Sequence, residues 1–467
     1  MKNIVIKNAL ILGLSGILAK SFDFIFRAYY SRILGAEGMG LLSLGFGLHG
    51  VMLTVSTAGL GVAVSKITSE YIEQNRTYLA IKCVKTSMLL VCVSAITLIL
   101  TIFLKAEYFG ENILGDKRIS IGLCGLAPSI LFMGISYCLK GYLYATRKVT
   151  IPALSEFLEQ AIKFISISFF IKLLLPYGIE YGCFAVFLGI SVGELSSCLY
   201  LLIRMFPEFR KPQPDCDDKI LRKILKISLP SMLTALVGST FRMQEEVWTV
   251  SSFKRYGMLH NQAISLLGII YGMVFPLLTF PLTLSGSVMT LLIPEVSRAN
   301  SHTHKQRLHK ITTFLYTGGI AIGFIVFMLL FSFSSQLTEN IYHNQEAGDI
   351  LRKLAFLFPF MLTETISCAI LNGLGKQCSL LIFSLTDSII RLSAIIFLIP
   401  KYGANALFTT IVFSSVFTCL LNFSRVLKAI SFSFDYWRKP FINQKCNNGD
   451  CKTFNKINRC NAKQNNL

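Results

Sequence analysis

Lys20, Asp23 and Arg27 follow one another at intervals of three and four residues in an otherwise apolar stretch. On a helix that spacing puts all three on one face. The arrangement returns as Arg242 with Glu245 and Glu246. Two further pairs stand four residues apart in apolar surroundings, Glu159 with Lys163 and Asp387 with Arg391. Glu194 and Glu364 add single carboxylates. Cations gathered on one face can hold an anionic substrate through charge-assisted hydrogen bonds. Carboxylates among them can neutralise those cations, or carry an ion or a proton. An ionisable group inside a membrane-spanning helix costs at least ~2.5–3.5 kcal/mol on insertion scales, so it faces a cavity or a partner. Two readings follow: intrahelical ion pairs that cancel, with Arg27 and Glu246 reaching to the interface, or a cation-lined cavity for an anionic ligand.

The elements that must position these groups are read from hydropathy. Hydrophobic residues make up 53% of the 467 positions and charged residues 15%, and the mean hydropathy is +0.58. A soluble domain averages roughly 25% charged residues. Apolar runs fall near residues 7–26, 40–64, 84–104, 119–139, 154–175, 181–203, 226–250, 264–293, 311–331, 353–374, 378–399 and 404–424. Each approaches or exceeds the roughly 20 residues that cross a bilayer. The sequence predicts an all-α integral membrane protein of about twelve transmembrane helices, and a large soluble helical protein is excluded by the number and length of the runs. The first run is too long for a cleavable leader and reads as a retained helix.

The formal charge of +20 is distributed unevenly. Thirty Lys and Arg fall in the segments on the side of the termini and eleven in the opposite loops, while Lys20, Lys163, Arg242 and Arg391 lie within helices. That asymmetry predicts a multi-pass cell-membrane protein with both termini in the cytoplasm. The surplus suits anionic head groups, and nothing in it calls for nucleic acid. Of the thirteen cysteines, those in helices, such as Cys92, Cys124 and Cys138, read as small core residues. Cys446, Cys451 and Cys460 lack a histidine partner or Cys-x-x-Cys spacing, and His302, His304 and His309 sit in a basic loop, so no metal site is expected.

The chain repeats itself. A shift of 222 positions lays Gly16 on Gly238, Lys20 on Arg242, Asp23 on Glu245, Arg32 on Lys254 and Gly35 on Gly257. Pro128 leading to Gly141 matches Pro359 leading to Gly373. Pro176-Tyr177-Gly178 matches Pro400-Lys401-Tyr402-Gly403, and Ala58-Gly59-Leu60-Gly61 through Ser65 matches Ser285-Gly286 through Ser297. We expect an N-terminal six-helix bundle over 1–205, a cytoplasmic linker over 206–223, a C-terminal six-helix bundle over 224–430 and a basic, disordered cytoplasmic tail over 431–467. Six being even, the repeats are parallel, and two such bundles enclose a central cavity that rocking can open to either side. A duplicated bundle without transport is the alternative. Lys20 and Arg242 on equivalent helices are the first candidates for cavity cations, with Arg27 and Arg32 nearer the outer rim. Asp23, Glu159, Lys163, Glu245, Glu246, Glu364, Asp387 and Arg391 are candidates for pairing or for carrying an ion or proton. The glycine-rich second run suits close or sliding helices, and Pro276 and Pro281 should bend the eighth helix.

No Walker A, HExxH or GxSxG pattern occurs, and the outer loops are short apart from Tyr108–Arg118 and Glu339–Lys353. The sequence therefore predicts a transporter without a cofactor rather than an enzyme. The stretch Arg27-Ala-Tyr-Tyr-Ser-Arg-Ile-Leu-Gly-Ala-Glu-Gly-Met-Gly-Leu-Leu-Ser-Leu44 and the following Ser56-Thr-Ala-Gly-Leu-Gly-Val-Ala-Val-Ser-Lys66 resemble the polysaccharide flippase branch of the multidrug/oligosaccharidyl-lipid/polysaccharide exporter superfamily. The resemblance covers about residues 1–430. It implies an undecaprenyl-diphosphate-linked saccharide as substrate, such as a precursor of spore cortex peptidoglycan or another envelope polymer. Membrane lipids and envelope-synthesis enzymes are the implied partners. Lys20 falls where related flippases carry an arginine, and Arg32 matches the basic residue before their Gly-Ala turn. Their basic residue on the second helix has no counterpart, since that helix offers only His49. A drug/cation antiporter of the same superfamily, a membrane scaffold and a polymerase with a compact intramembrane site are the competing readings.

Overall fold

The computed structural model describes residues 2–57, 59–210, 220–283, 296 and 305–443. Helix is the only regular structure among them. Helix α1 (Lys2–Thr57) holds the first two apolar runs and breaks at Gly35, whose φ of 68° and ψ of −170° fall in a region open essentially to glycine alone. It is followed by α2 (Leu60–Glu73), α3 (Thr77–Tyr108), α4 (Ile119–Ala145), α5 (Thr150–Leu174) and α6 (Ile179–Phe209). Helix α7 (Ile220–Tyr256) opens the second half of the chain. The helical stretch α8 (His260–Thr283) comes next, then α9 (Lys305–Ser332), the short α10 (Ser334–Tyr342), α11 (Gln345–Gly373), α12 (Gln377–Tyr402) and α13 (Ala404–Asn443).

Ten helical stretches among the described residues are long and apolar enough to cross a membrane. Dividing the first at Gly35 and adding α5, which Glu156, Glu159 and Lys163 set apart, gives the twelve expected. The repeat is visible in the backbone too. Gly35 and Gly257 both take positive φ, as do Gly178 and Gly403, so the turns after the first, fifth, seventh and eleventh crossings rest on matched glycines.

Three details differ from expectation. The irregularity in α8 is a π-helical turn over Gly268–Val274, upstream of Pro276 and Pro281, after which the helix continues to Thr283. The two longer outer segments are themselves largely helical: a π-helical turn covers Phe109–Ile113, and α10 and the start of α11 fill the other. Helix α13 runs on to Asn443, past the expected start of the tail at 431. Residues 211–219 of the linker, Ser285, Gly286, Ser297, His302, His304 and the tail cysteines Cys446, Cys451 and Cys460 lie outside the described residues.

The core has two parts. The larger joins both halves, bringing Leu34, Met39 and Leu41 of α1 together with Ile264, Leu267 and Ile270 of α8. The smaller gathers α2, the start of α3 and the ends of α4 and α6, and also takes in Ile220 and Ile224. The foot of α7 therefore rests on the first half of the chain, where Lys223 pairs with Glu70 at 2.8 Å.

Candidate functional site

The first and second halves leave between them two adjoining recesses of about 600 and 440 Å³ that share Arg27, Arg242 and Tyr271. At 1.5 Å rise per residue, Arg27 lies about 12 Å from the break at Gly35, and Arg242 about 22 Å from Gly257. Both are well inside their helices. The larger recess is walled by small and hydroxyl-bearing residues, Ser43, Gly47, Gly50, Thr54, Gly238 and Ser239 among them. The smaller is aromatic, with Phe24, Phe275 and Phe280 beside Lys20 and Asp23. Phe24 of α1 and Phe280 of α8 stack across the gap at 4.8 Å between ring centres.

The larger recess extends toward the side of the termini, where Thr54 and Ala235 line it, and a Cβ built on its Gly50 or Gly238 would meet nothing within 4 Å. On the far side the halves close on each other. A Cβ on Gly40 would lie 2.1 Å from the Ile264 carbonyl oxygen, and one on Gly268 would lie 2.0 Å from that of Ala36. Only glycine permits so close an approach of α1 and α8.

Lys20, Arg27 and Arg242 thus meet in one cavity. Lys20 and Arg242 are exposed to it, and Arg27 is half-buried with its guanidinium 5.9 Å from the centre of the Phe46 ring. Arg27 lies nearer the far-side break at Gly35 than Lys20 does, eight residues from it against fifteen, and still lines the cavity. Asp23 and Glu246 share the space. Glu246 is 8% exposed, its Oε2 has no hydrogen-bond partner, and Gly47 opposite leaves room for it.

The remaining intramembrane charges are held elsewhere. Lys163 donates to Glu159 at 3.1 Å, with both buried and the buried Glu194 on the neighbouring α6. Arg391 bridges Asp387 at 2.6 Å and Glu245 at 3.4 Å, and Ser414 donates to Asp387. Glu245 and Glu246, adjacent in sequence, therefore serve different neighbourhoods. Glu364 is half-buried on α11. Arg32 is exposed on the far side and donates to the Ile341 carbonyl at 2.6 Å and to that of Asn340, at the end of α10.

Two features carry no signal in the spacing of charges. Tyr271 lines both recesses from the π-helical turn of α8, a distortion that often marks functional positions; a tyrosine next to Gly272 in an apolar run is its only trace in the sequence. The second is a far-side cluster. Arg118 reaches Asp116 at 2.7 Å and Glu37 at 2.6 Å, while its Nη2 approaches Asn261 at 3.4 Å and His260 Nε2 lies 3.0 Å from Asp116. Burial pushes the Asp116 carboxyl up, but hydrogen bonds from the Arg118 side chain and backbone N–H outweigh it and hold the group below its ordinary value. The same bonds to Asp116 raise Arg118 against the effect of burial.

The comparison that decides the family covers most of the chain: the model for polysaccharide biosynthesis proteins matches residues 5–299. This chain belongs to that family. Within the wider relationship of polysaccharide biosynthesis proteins it is 25% identical over 453 residues to stage V sporulation protein B of Bacillus subtilis (strain 168), covering 92% of this chain and 85% of that one. It is 21% identical over 467 residues to the lipid II flippase MurJ of the same organism, covering 93% and 84%. Among solved structures, an inward-facing multidrug resistance MATE family transporter of the MOP superfamily superposes with a TM-score of 0.73 at 16% identity, covering 91% of this chain and 99% of the other. The fold of this polysaccharide biosynthesis protein is thus that of the MOP superfamily: an all-α, multi-pass membrane protein. The relatives whose names state an activity are flippases or transporters, not enzymes.

Proposed function

We propose that the protein flips an undecaprenyl-diphosphate-linked saccharide across the cytoplasmic membrane by alternating access, as a step in building the cell envelope or spore cortex. The observation that carries this reading is the meeting of Lys20, Arg27 and Arg242, from both halves of the chain, in one cavity where the described lining residues include two carboxylates, Asp23 and Glu246. Three cations against two anions leave a positive surplus where a diphosphate would bind through charge-assisted hydrogen bonds. The hydroxyl-lined recess suits the saccharide, and the aromatic edge between α1 and α8 suits the start of a polyprenyl chain whose remainder stays in lipid. The repeated six-helix units, 1–205 and 224–430, are the bodies that rock against each other. The Lys and Arg asymmetry puts both termini in the cytoplasm, so the observed cavity faces the cytoplasmic supply of substrate. Lys163 and Arg391, held by neighbouring carboxylates, stay outside the binding set, and so does Arg32.

The test is reconstitution in liposomes, following exposure of a diphosphate-linked lipid saccharide to an outside probe. A charged hydrogen bond is worth about 1.5–3 kcal/mol, so Lys20→Ala with Arg242→Ala is expected to slow translocation by about a hundredfold or more. A folded double variant as fast as wild type removes these residues from the site. The presence of Asp23 and of the unpaired Glu246 in the cavity favours one second reading, a MATE-like antiporter for cationic drugs. That reading gains if an organic cation moves against an ion gradient while no diphosphate lipid moves.

A further inference from the structure

The far side of the cavity is closed by a seam whose polar contacts follow one rule. Arginine–carboxylate pairs lie within the first half of the chain, and the contacts that cross to the second among the described residues are a histidine–carboxylate contact and hydrogen bonds from arginine to neutral acceptors. Arg118, Asp116 and Glu37 form the in-half part, with N–O separations of 2.6 and 2.7 Å. Among the described residues four contacts cross: His260 to Asp116 at 3.0 Å, Arg118 to Asn261 at 3.4 Å, and Arg32 to the carbonyls of Ile341 and Asn340. Beneath them the glycine contacts of Gly40 with Ile264 and of Gly268 with Ala36 complete the closure.

We propose that Arg32 and the Arg118–Asp116–His260 cluster form a releasable outer latch that holds the cavity shut on the side away from the termini. The inference rests on the alternating-access reading. The in-half pairs keep Arg118 and Asp116 oriented whether or not the halves touch. The crossing contacts can therefore be broken and remade without repacking either side. Their acceptors are a carboxylate already satisfied by Arg118, an amide and two helix-end carbonyls, so separation strands no unpaired charge in a dry interior, where such a charge would be costly. Arg32 in this role is a gate residue; its guanidinium caps the carbonyl end of α10, which opening would return to water.

The test uses the full chain in vesicles, with Ile264→Cys as the reporter of the seam and Ser239→Cys as the reporter of the cavity. An impermeant maleimide is applied to the far side or to the side of the termini, and the signal is taken above that of the chain without the added cysteine. Arg32→Gln with His260→Ala is expected to raise far-side labelling at position 264 on the order of tenfold, as the loss of one charged hydrogen bond implies. Labelling at position 239 from the side of the termini should fall in parallel. Unchanged labelling at 264 in a folded variant overturns the latch. A rise at 264 with no fall at 239 keeps the latch but sinks alternating access, since both sides would then be open at once. Should the variant fail to fold, read by labelling of the buried Cys183, salt supplies the second measurement. Exposed charged contacts are screened, so high far-side salt should raise labelling at 264 in the otherwise unaltered chain, and no response overturns the proposal.

Discussion

At the scale of single residues, the charges divide by what they face. Lys20 and Arg242 project into open cavity, whereas Arg391 joins Glu245 and Asp387, whose side chains are 8% and 9% exposed. Removing an exposed cavity cation leaves no group stranded, so its cost is expected in transport and not in stability. Removing Arg391 is different, because two carboxylates lose their only cation among the described ion pairs. Breaking a buried pair from one side costs about 3–5 kcal/mol. Arg391→Met is therefore expected to lower the thermal unfolding temperature of the purified protein strongly, while Lys20→Met leaves it within a degree or two. Equal and small effects would mean that Arg391 is not an internal counter-ion. Sequence spacing found all these residues but could not sort them. The i,i+4 pairs were legible, whereas the assignment of Glu245 to Arg391 spans 146 positions and depends on packing.

At the scale of elements, the glycines separate into those that let backbones touch and those that border empty space. A Cβ on Gly268 would press within 2.0 Å of a backbone oxygen, which cannot rotate away, whereas a Cβ on Gly238 would meet nothing. Opposite signs follow. Gly238→Ala should stabilise the helix by about 0.4–1 kcal/mol through the unfolded chain, and Gly268→Ala should destabilise by about 1–3 kcal/mol or push the seam apart. Thermal unfolding of the two variants checks the pair, and a stabilised Gly268→Ala would mean that α1 and α8 are not in the contact described. The twelve crossings, the duplication and the turn glycines Gly35 and Gly257 could be read from the sequence because each depends on run length or a local pattern. The seam could not. Glu37, Asp116, Arg118 and His260 come from three separate segments with no common spacing.

At the scale of the whole molecule, the partition of contacts across the seam determines how gating and stability respond to pH. Asp116 lies outside the membrane-spanning stretches, and its carboxyl sits below the ordinary value of 3.8 because Arg118, in its own half, outweighs burial. A carboxylate with a depressed pKa lends stability that is complete above the ordinary value and lost as pH falls through the depressed one. Arg118 accompanies Asp116 when the halves part, so the larger part of the depression persists in the open state and contributes to folding, while the smaller part from His260 goes with closure. Of the partners described for Asp116, only His260 lies across the seam, its Nε2 3.0 Å from the carboxylate. Two outcomes are expected. Asp116→Asn should be less stable than wild type at neutral pH, with the difference vanishing as pH drops below 3.8 through the depressed value. Far-side labelling of the cysteine at position 264 should not rise as the outside pH is lowered from about 8 to about 5, because Asp116 keeps its charge throughout that window. A seam that opens with mild acid would require a carboxylate titrating there, and would place the controlling charge outside this cluster.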